Sequence, residues 1–277
     1  MRRFVQFLVY SNVWIGLGAT AFLWQFYLIY KAPVDLVLFA FVFFSTLLTY
    51  TFQRYVKLMN KTRSGGERLN WMQRYPTFVK GLLILGTTGT VYSLTHFNFE
   101  TFIILAVTGF ISLFYVVKLP GKLGKNLRDI PSLKIFLIGF VWAVISTFLP
   151  KVNLSVDFWP WLLFAANFIF IIAITIPFDI RDLDLDEKEK KTIPQIIGKK
   201  KAILLASFLL LINFFLLVFI TQNWLITSFF GCIASILLVI GSIKKPQDLY
   251  YSLFVDGLLL LQPALLYVDL YWLECSI

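Results

Sequence analysis

Along this chain, long uninterrupted apolar runs alternate with short polar segments. A hydrocarbon core about 30 Å thick is crossed by about 20 residues of helix rising 1.5 Å each, and a helix leaves no backbone group unpaired in lipid. Nine stretches meet that measure, so the pattern predicts an all-α, polytopic membrane protein with nine transmembrane helices. The first six cover residues 4–30, 36–53, 81–95, 101–117, 135–150 and 158–178. Residues 202–243 carry no charge and are long enough for two helices, with Gln222 and Asn223 as the turn between the seventh and eighth. The ninth runs from about 250 to 273.

Charge fixes an orientation for these spans. The chain of 277 residues has a net charge of +10, which in a soluble protein would point to nucleic acid. Its basic residues instead lie between the apolar runs. All of them except Lys31 and Lys151 fall at the N-terminus or in the loops after spans two, four, six and eight. By the positive-inside rule those segments are expected in the cytoplasm, with the protein in the plasma (inner) membrane and no nucleic acid as partner. No linker divides the chain, so residues 1–277 read as a single integral membrane domain with cytoplasmic loops at about 54–80, 118–134 and 179–201. Two Cys and one His exclude a disulfide framework and a Cys/His zinc site.

The longer loops share one face, and binding capacity is expected there. Directly after span six stand Asp179, Asp182 and Asp186, spaced i, i+3 and i+7, so a helix continuing out of the membrane would stack them on one side. One reading is a solvated acidic-basic helix balanced by Lys188, Lys190 and Lys191. The other is a hard divalent cation such as Mg²⁺, which takes carboxylate oxygens and leaves positions for substrate phosphate. Within the spans, Asp256 is either a functional acid or a packing residue with Gln262 or Asn213 as partner, and Asn12 and Asn167 are polar groups that need partners in lipid.

The run from Asp179 to Pro194 followed by Gly198 resembles the second aspartate-rich motif of the UbiA-type intramembrane prenyltransferases, Asp-x-x-Asp-x-x-x-Asp with a Thr-Ile-Pro close behind. The resemblance implies a nine-helix UbiA-like bundle. It also implies a metal and catalytic role for Asp179, Asp182 and Asp186, which would hold Mg²⁺ against the diphosphate of a polyprenyl donor. Tyr115, Lys118, Arg128 and Lys134 look like the family's Tyr/Lys region near that diphosphate. The family's first aspartate motif should fall near Thr51, where the text is Thr51-Phe52-Gln53-Arg54-Tyr55-Val56-Lys57-Leu58-Met59, without a carboxylate. Arg54 and Lys57 either supply positive charge to the diphosphate directly or serve as inside anchors; Asn12 is grouped with them as substrate-binding. The function these features imply is transfer of an isoprenyl group from a polyprenyl diphosphate to a hydrophobic or aromatic acceptor. The alternatives are a noncatalytic isoprenoid-lipid-binding protein and a transporter.

Overall fold

The computed structural model describes residues 2–59, 67–115, 127, 130, 133–152, 154, 160–183, 191–223, 225–244 and 247–273. The described residues form helices and no strands. In chain order these are α1 (Arg2–Tyr10), α2 (Val13–Tyr30), α3 (Leu36–Met59), α4 (Glu67–Arg74), α5 (Pro76–Leu94), α6 (Phe99–Phe114), α7 (Leu133–Lys151), α8 (Pro160–Asp182), α9 (Ile193–Ile197), α10 (Lys199–Thr221) and α11 (Ile226–Gly241). The last span begins with α12 (Asp248–Tyr250), passes through a π-helical stretch at Tyr251–Val255 into α13 (Leu258–Tyr267), and ends in a second π-helical stretch at Val268–Leu273.

Among the described residues seven helical segments are long and apolar enough to cross a membrane: α2, α3, α7, α8, α10, Ile226–Lys244 and Asp248–Trp272. The protein is an all-α integral membrane protein. The other two expected spans are present as helices but fall short of that measure. α6 has only 16 residues, and α5 is diluted by Lys80, three glycines and four threonines.

The expected first span is broken. Asn12 takes a left-handed conformation with φ 66°, which separates α1 from α2. Packing against α4 explains the break. The Phe7 ring meets Trp71 and Phe78, Tyr10 meets Trp71, and the Tyr10 hydroxyl donates to Glu67 at 2.7 Å. Burial and the Glu67 carboxylate push the Tyr10 hydroxyl up to about 12. α3 and α8 run further than the apolar pattern indicates, so Arg54, Lys57, Asp179 and Asp182 all lie on helices.

Lipid gives helices little hydrophobic reason to associate, so close approach and interhelical hydrogen bonds hold the bundle. At Gly86 of α5 an added Cβ would lie 3.1 Å from the Leu48 Cα of α3, which shows how near the two backbones come. A chain of amides crosses four helices. Gln262 of α13 donates to Gln25 of α2 at 2.9 Å, Gln25 donates to Asn167 of α8 at 2.9 Å, and Asn167 donates to Ser146 and Thr147 of α7 at 2.9 and 3.2 Å. Gln262 and Asn213, the expected partners of Asp256, therefore bond elsewhere; Asn213 donates to the Ala166 carbonyl at 3.0 Å. Asn167 is fully buried and joins three of the four helices in the amide chain. Asn167→Leu is expected to cost about 1–2 kcal/mol, read as a lower midpoint in detergent-induced or thermal unfolding of the purified protein. An unchanged midpoint would show that the amide chain contributes nothing to stability.

Candidate functional site at the basic end of the bundle

α8 carries its helix through the membrane and on to Asp182, so Asp179 and Asp182 stand one turn apart at its end. Each carboxylate meets a cation. Asp179 is 2% exposed, and Lys134, in the first turn of α7, donates to it at 2.5 Å. Arg181 grips Asp182 at 2.8 and 3.2 Å and reaches Asp248 of α12 at 3.5 Å. The Arg181 guanidinium also lies over the rings of Phe178 and Tyr251, at 5.2 and 5.4 Å from their centres. Such stacking fixes its plane and leaves its charge little hydrated.

Facing this group are α2, α3 and α4. Arg54 donates to the Asn12 side-chain oxygen, and the Asn12 amide donates to Thr51 at 3.0 Å. Arg54 also lies over the Tyr50 ring at 5.9 Å. Arg68 of α4 lies over Tyr10 at 5.8 Å and feels the charges of Asp256, Arg181 and Asp248. Burial and the nearby Arg181 push its guanidinium down, with Asp256 and Asp248 opposing, to about 10, so it stays charged at neutral pH. Tyr50 is electrostatically linked to Asp256, Tyr115 and Arg68. Arg54 contacts Tyr50 and Arg181 contacts Asp182, and Arg68 lies within electrostatic range of both Tyr50 and Arg181.

Of the expected site residues, Lys134, Asp179 and Asp182 lie together at the ends of α7 and α8, Asn12 and Arg54 pair where α2 begins and α3 ends, and Tyr115, at the end of α6, is within electrostatic range of Tyr50. Lys57 is exposed on α3. Lys118, Arg128 and Asp186 lie outside the described residues. Arg68, Asp248 and Tyr50 were not singled out by the sequence: Arg68 sits in a loop rich in basic residues and looks there like any other inside anchor. Next to this group, α2, α3, α6 and α7 line a partly open apolar pocket of about 380 Å³, whose α3 wall runs from Phe41 to Gln53, the neighbour of Arg54.

A family model described as "UbiA prenyltransferase family" matches residues 76–249, more than half of the chain. The chain belongs to the UbiA prenyltransferase family. The match begins at Pro76, which leaves the region where the UbiA first motif would lie outside it. Two solved structures share the fold. One, described as giving insight into digeranylgeranylglyceryl phosphate synthase in membranes, has 20% identity and a TM-score of 0.52, covering 98% of this chain and 99% of that one. The other, a UbiA homologue from Archaeoglobus fulgidus bound to Cd²⁺, has 15% identity and a TM-score of 0.55, covering 94% of this chain and 100% of that one. No curated protein gives a significant match.

The UbiA family raises the question of a divalent cation. Among the described residues no three His, Cys, Asp or Glu side chains cluster closely enough to hold one. Asp179 and Asp182 are nonetheless hard oxygen donors on one helix face, and Asp182 is the more open, at 18% exposed. Mg²⁺ commonly needs only one or two carboxylates when phosphate oxygens and water complete its shell, so the residues fit that cation.

Proposed function

We propose that this protein transfers an isoprenyl group from a polyprenyl diphosphate to a hydrophobic or aromatic acceptor. The observation that supports this most is the charged rim of Arg54, Arg68, Arg181, Asp182 and Lys134 above an apolar cavity. The diphosphate lies on the rim and the hydrocarbon tail lies in the cavity. We place the N-terminus and the rim on the cytoplasmic side of the plasma (inner) membrane, where the basic residues fall.

In the reaction the carbon-oxygen bond of the donor breaks, its electron pair leaves with the diphosphate, and the acceptor attacks the allylic carbon and gives up a proton. Negative charge therefore grows on the leaving group, and fixed cations aimed at it lower the barrier. Arg54 and Arg68 supply that charge where the first aspartate motif of the family is missing. Arg181, locked by Asp182 and two rings, supplies it from the second motif. Asp182, together with Asp186 and Asp179, would hold Mg²⁺, which supplies further neutralisation of the diphosphate. The faces of Tyr50 and Trp142, which line the cavity, stabilise positive charge developing on the allylic carbon.

The test uses purified protein in lipid nanodiscs with Mg²⁺ and a radiolabelled polyprenyl diphosphate. Release of diphosphate is expected. Arg68→Ala is expected to raise KM by about 10- to 100-fold, the worth of hydrogen bonds to a charged group. Tight donor binding without diphosphate release across a panel of acceptors would replace this reading with noncatalytic isoprenoid binding. Solute flux in vesicles would replace it with transport.

A further inference from the structure

We infer that Asp248 is a second seat for Arg181: when a divalent cation takes Asp182, the guanidinium passes to Asp248, and the metal enters by exchange. The inference rests on the reading above that Asp182 takes that cation, and it adds the residue that makes the exchange possible.

Asp182 cannot hold Arg181 and a divalent cation at full strength together. Arg181 covers both of its oxygens, with Nε donating to Oδ1 at 2.8 Å and Nη2 to Oδ2 at 3.2 Å. Two cations on the same oxygens repel each other, so a metal ligates Asp182 only if Arg181 lets go of at least one of them. A guanidinium released with no acid to receive it would stand partly buried and poorly compensated, which opposes metal binding.

Asp248 is placed to receive it. Its Oδ1 stands 3.5 Å from Nη1, the guanidinium nitrogen that Asp182 leaves uncovered. A charge-assisted hydrogen bond between such groups is about 2.8 Å long, so a shift of about 0.7 Å closes the gap. The rings of Phe178 and Tyr251, with centres 5.7 Å apart, both lie under the guanidinium. Attraction of a cation to an aromatic face tolerates sliding across it, so the group can change carboxylates without leaving the rings. The receiving side is held fast. Tyr251 is fully buried and its hydroxyl donates to the Ser242 carbonyl at 3.3 Å, while the Tyr250 hydroxyl donates to the Leu238 carbonyl at 2.6 Å. These bonds pin the start of the last span to the end of α11, so Asp248 and Tyr251 stay in place while Arg181 moves.

Mn²⁺ uptake by the protein in phosphatidylcholine nanodiscs, read as loss of the free-ion EPR signal, gives the test, with Asp182→Asn as the blank and diphosphate release measured alongside. Arg181→Gln removes the competitor and is expected to tighten Mn²⁺ binding about tenfold, whereas Asp248→Asn removes the second seat and should weaken it about five- to tenfold. In the Arg181→Gln background, Asp248→Asn should change the affinity by less than about twofold, since no guanidinium is left to receive. Asp248→Glu should restore most of the wild-type affinity. An equal weakening by Asp248→Asn in both backgrounds would show an acid acting only through its charge at a distance; it would overturn the inference and leave Asp182 as a ligand. Arg181→Lys, which cannot bridge the two carboxylates, takes the place of Arg181→Gln in the cycle if the latter misfolds, with the same expectation for Asp248→Asn. Wild-type uptake no greater than that of Asp182→Asn would overturn both the exchange and the metal role of Asp182, and diphosphate release by that same protein would leave the transferase reading standing.

Discussion

Asp182→Asn is expected to lower the rate of diphosphate release by about 10²- to 10³-fold, the effect typical of removing one group that organises charge at a transition state. Two consequences of the substitution act together. Asn keeps the shape of Asp but loses its charge, so the paired contacts at 2.8 and 3.2 Å no longer hold the Arg181 guanidinium at full strength. A hard cation also loses an oxygen donor on the open side of α8. Because Asp182 is partly exposed, the fold should tolerate the change, with thermal stability shifted by no more than about 0.5 kcal/mol. Asp182→Glu retains the charge at a different reach and should recover part of the rate. A rate within a factor of three of wild type in the Asn variant would remove Asp182 from the chemistry.

Lys134→Met should show the opposite profile, a loss of stability first and of activity second. Asp179 is nearly inaccessible, and removing the ammonium 2.5 Å from its carboxylate leaves a buried charge poorly compensated. Breaking such a pair from one side costs about 3–5 kcal/mol, and the 13% exposure of Lys134 argues for the lower end. Replacing both partners, as in Lys134→Met/Asp179→Leu, removes the uncompensated charge and should restore most of the lost stability. Unfolding midpoints of the two variants in one detergent decide the matter. If the double variant is as unstable as the single one, the pair is not what holds the ends of α7 and α8 together. If it is stable but inactive, Asp179 contributes to the site as well as to the fold.

The spans were legible because residues 202–243 contain no charge and the other apolar runs few or none, and only helices can bury so much backbone in lipid. The i, i+3 stacking of Asp179 and Asp182 was legible for a related reason: α8 needs only to continue past Phe178. The break at Asn12 was not. It lies in an apolar run with no proline or glycine at the bend, and its cause is a tertiary one, the docking of Phe7 and Tyr10 on α4. Pairings across the bundle were also hidden. Lys134 and Asp179 are far apart in sequence, and Arg68 becomes distinctive only when folding buries it within range of the charges of Asp256 and Arg181. A loop full of cations gives no local sign of which one faces inward. The family's first motif offered no help, since the residues that stand in its place carry the opposite charge.

The elbow at Asn12 makes the amino terminus part of the site's own architecture. α1 packs through Phe7 and Tyr10 on the same short helix that presents Arg68, so a change to either ring also unsettles the seat of that arginine.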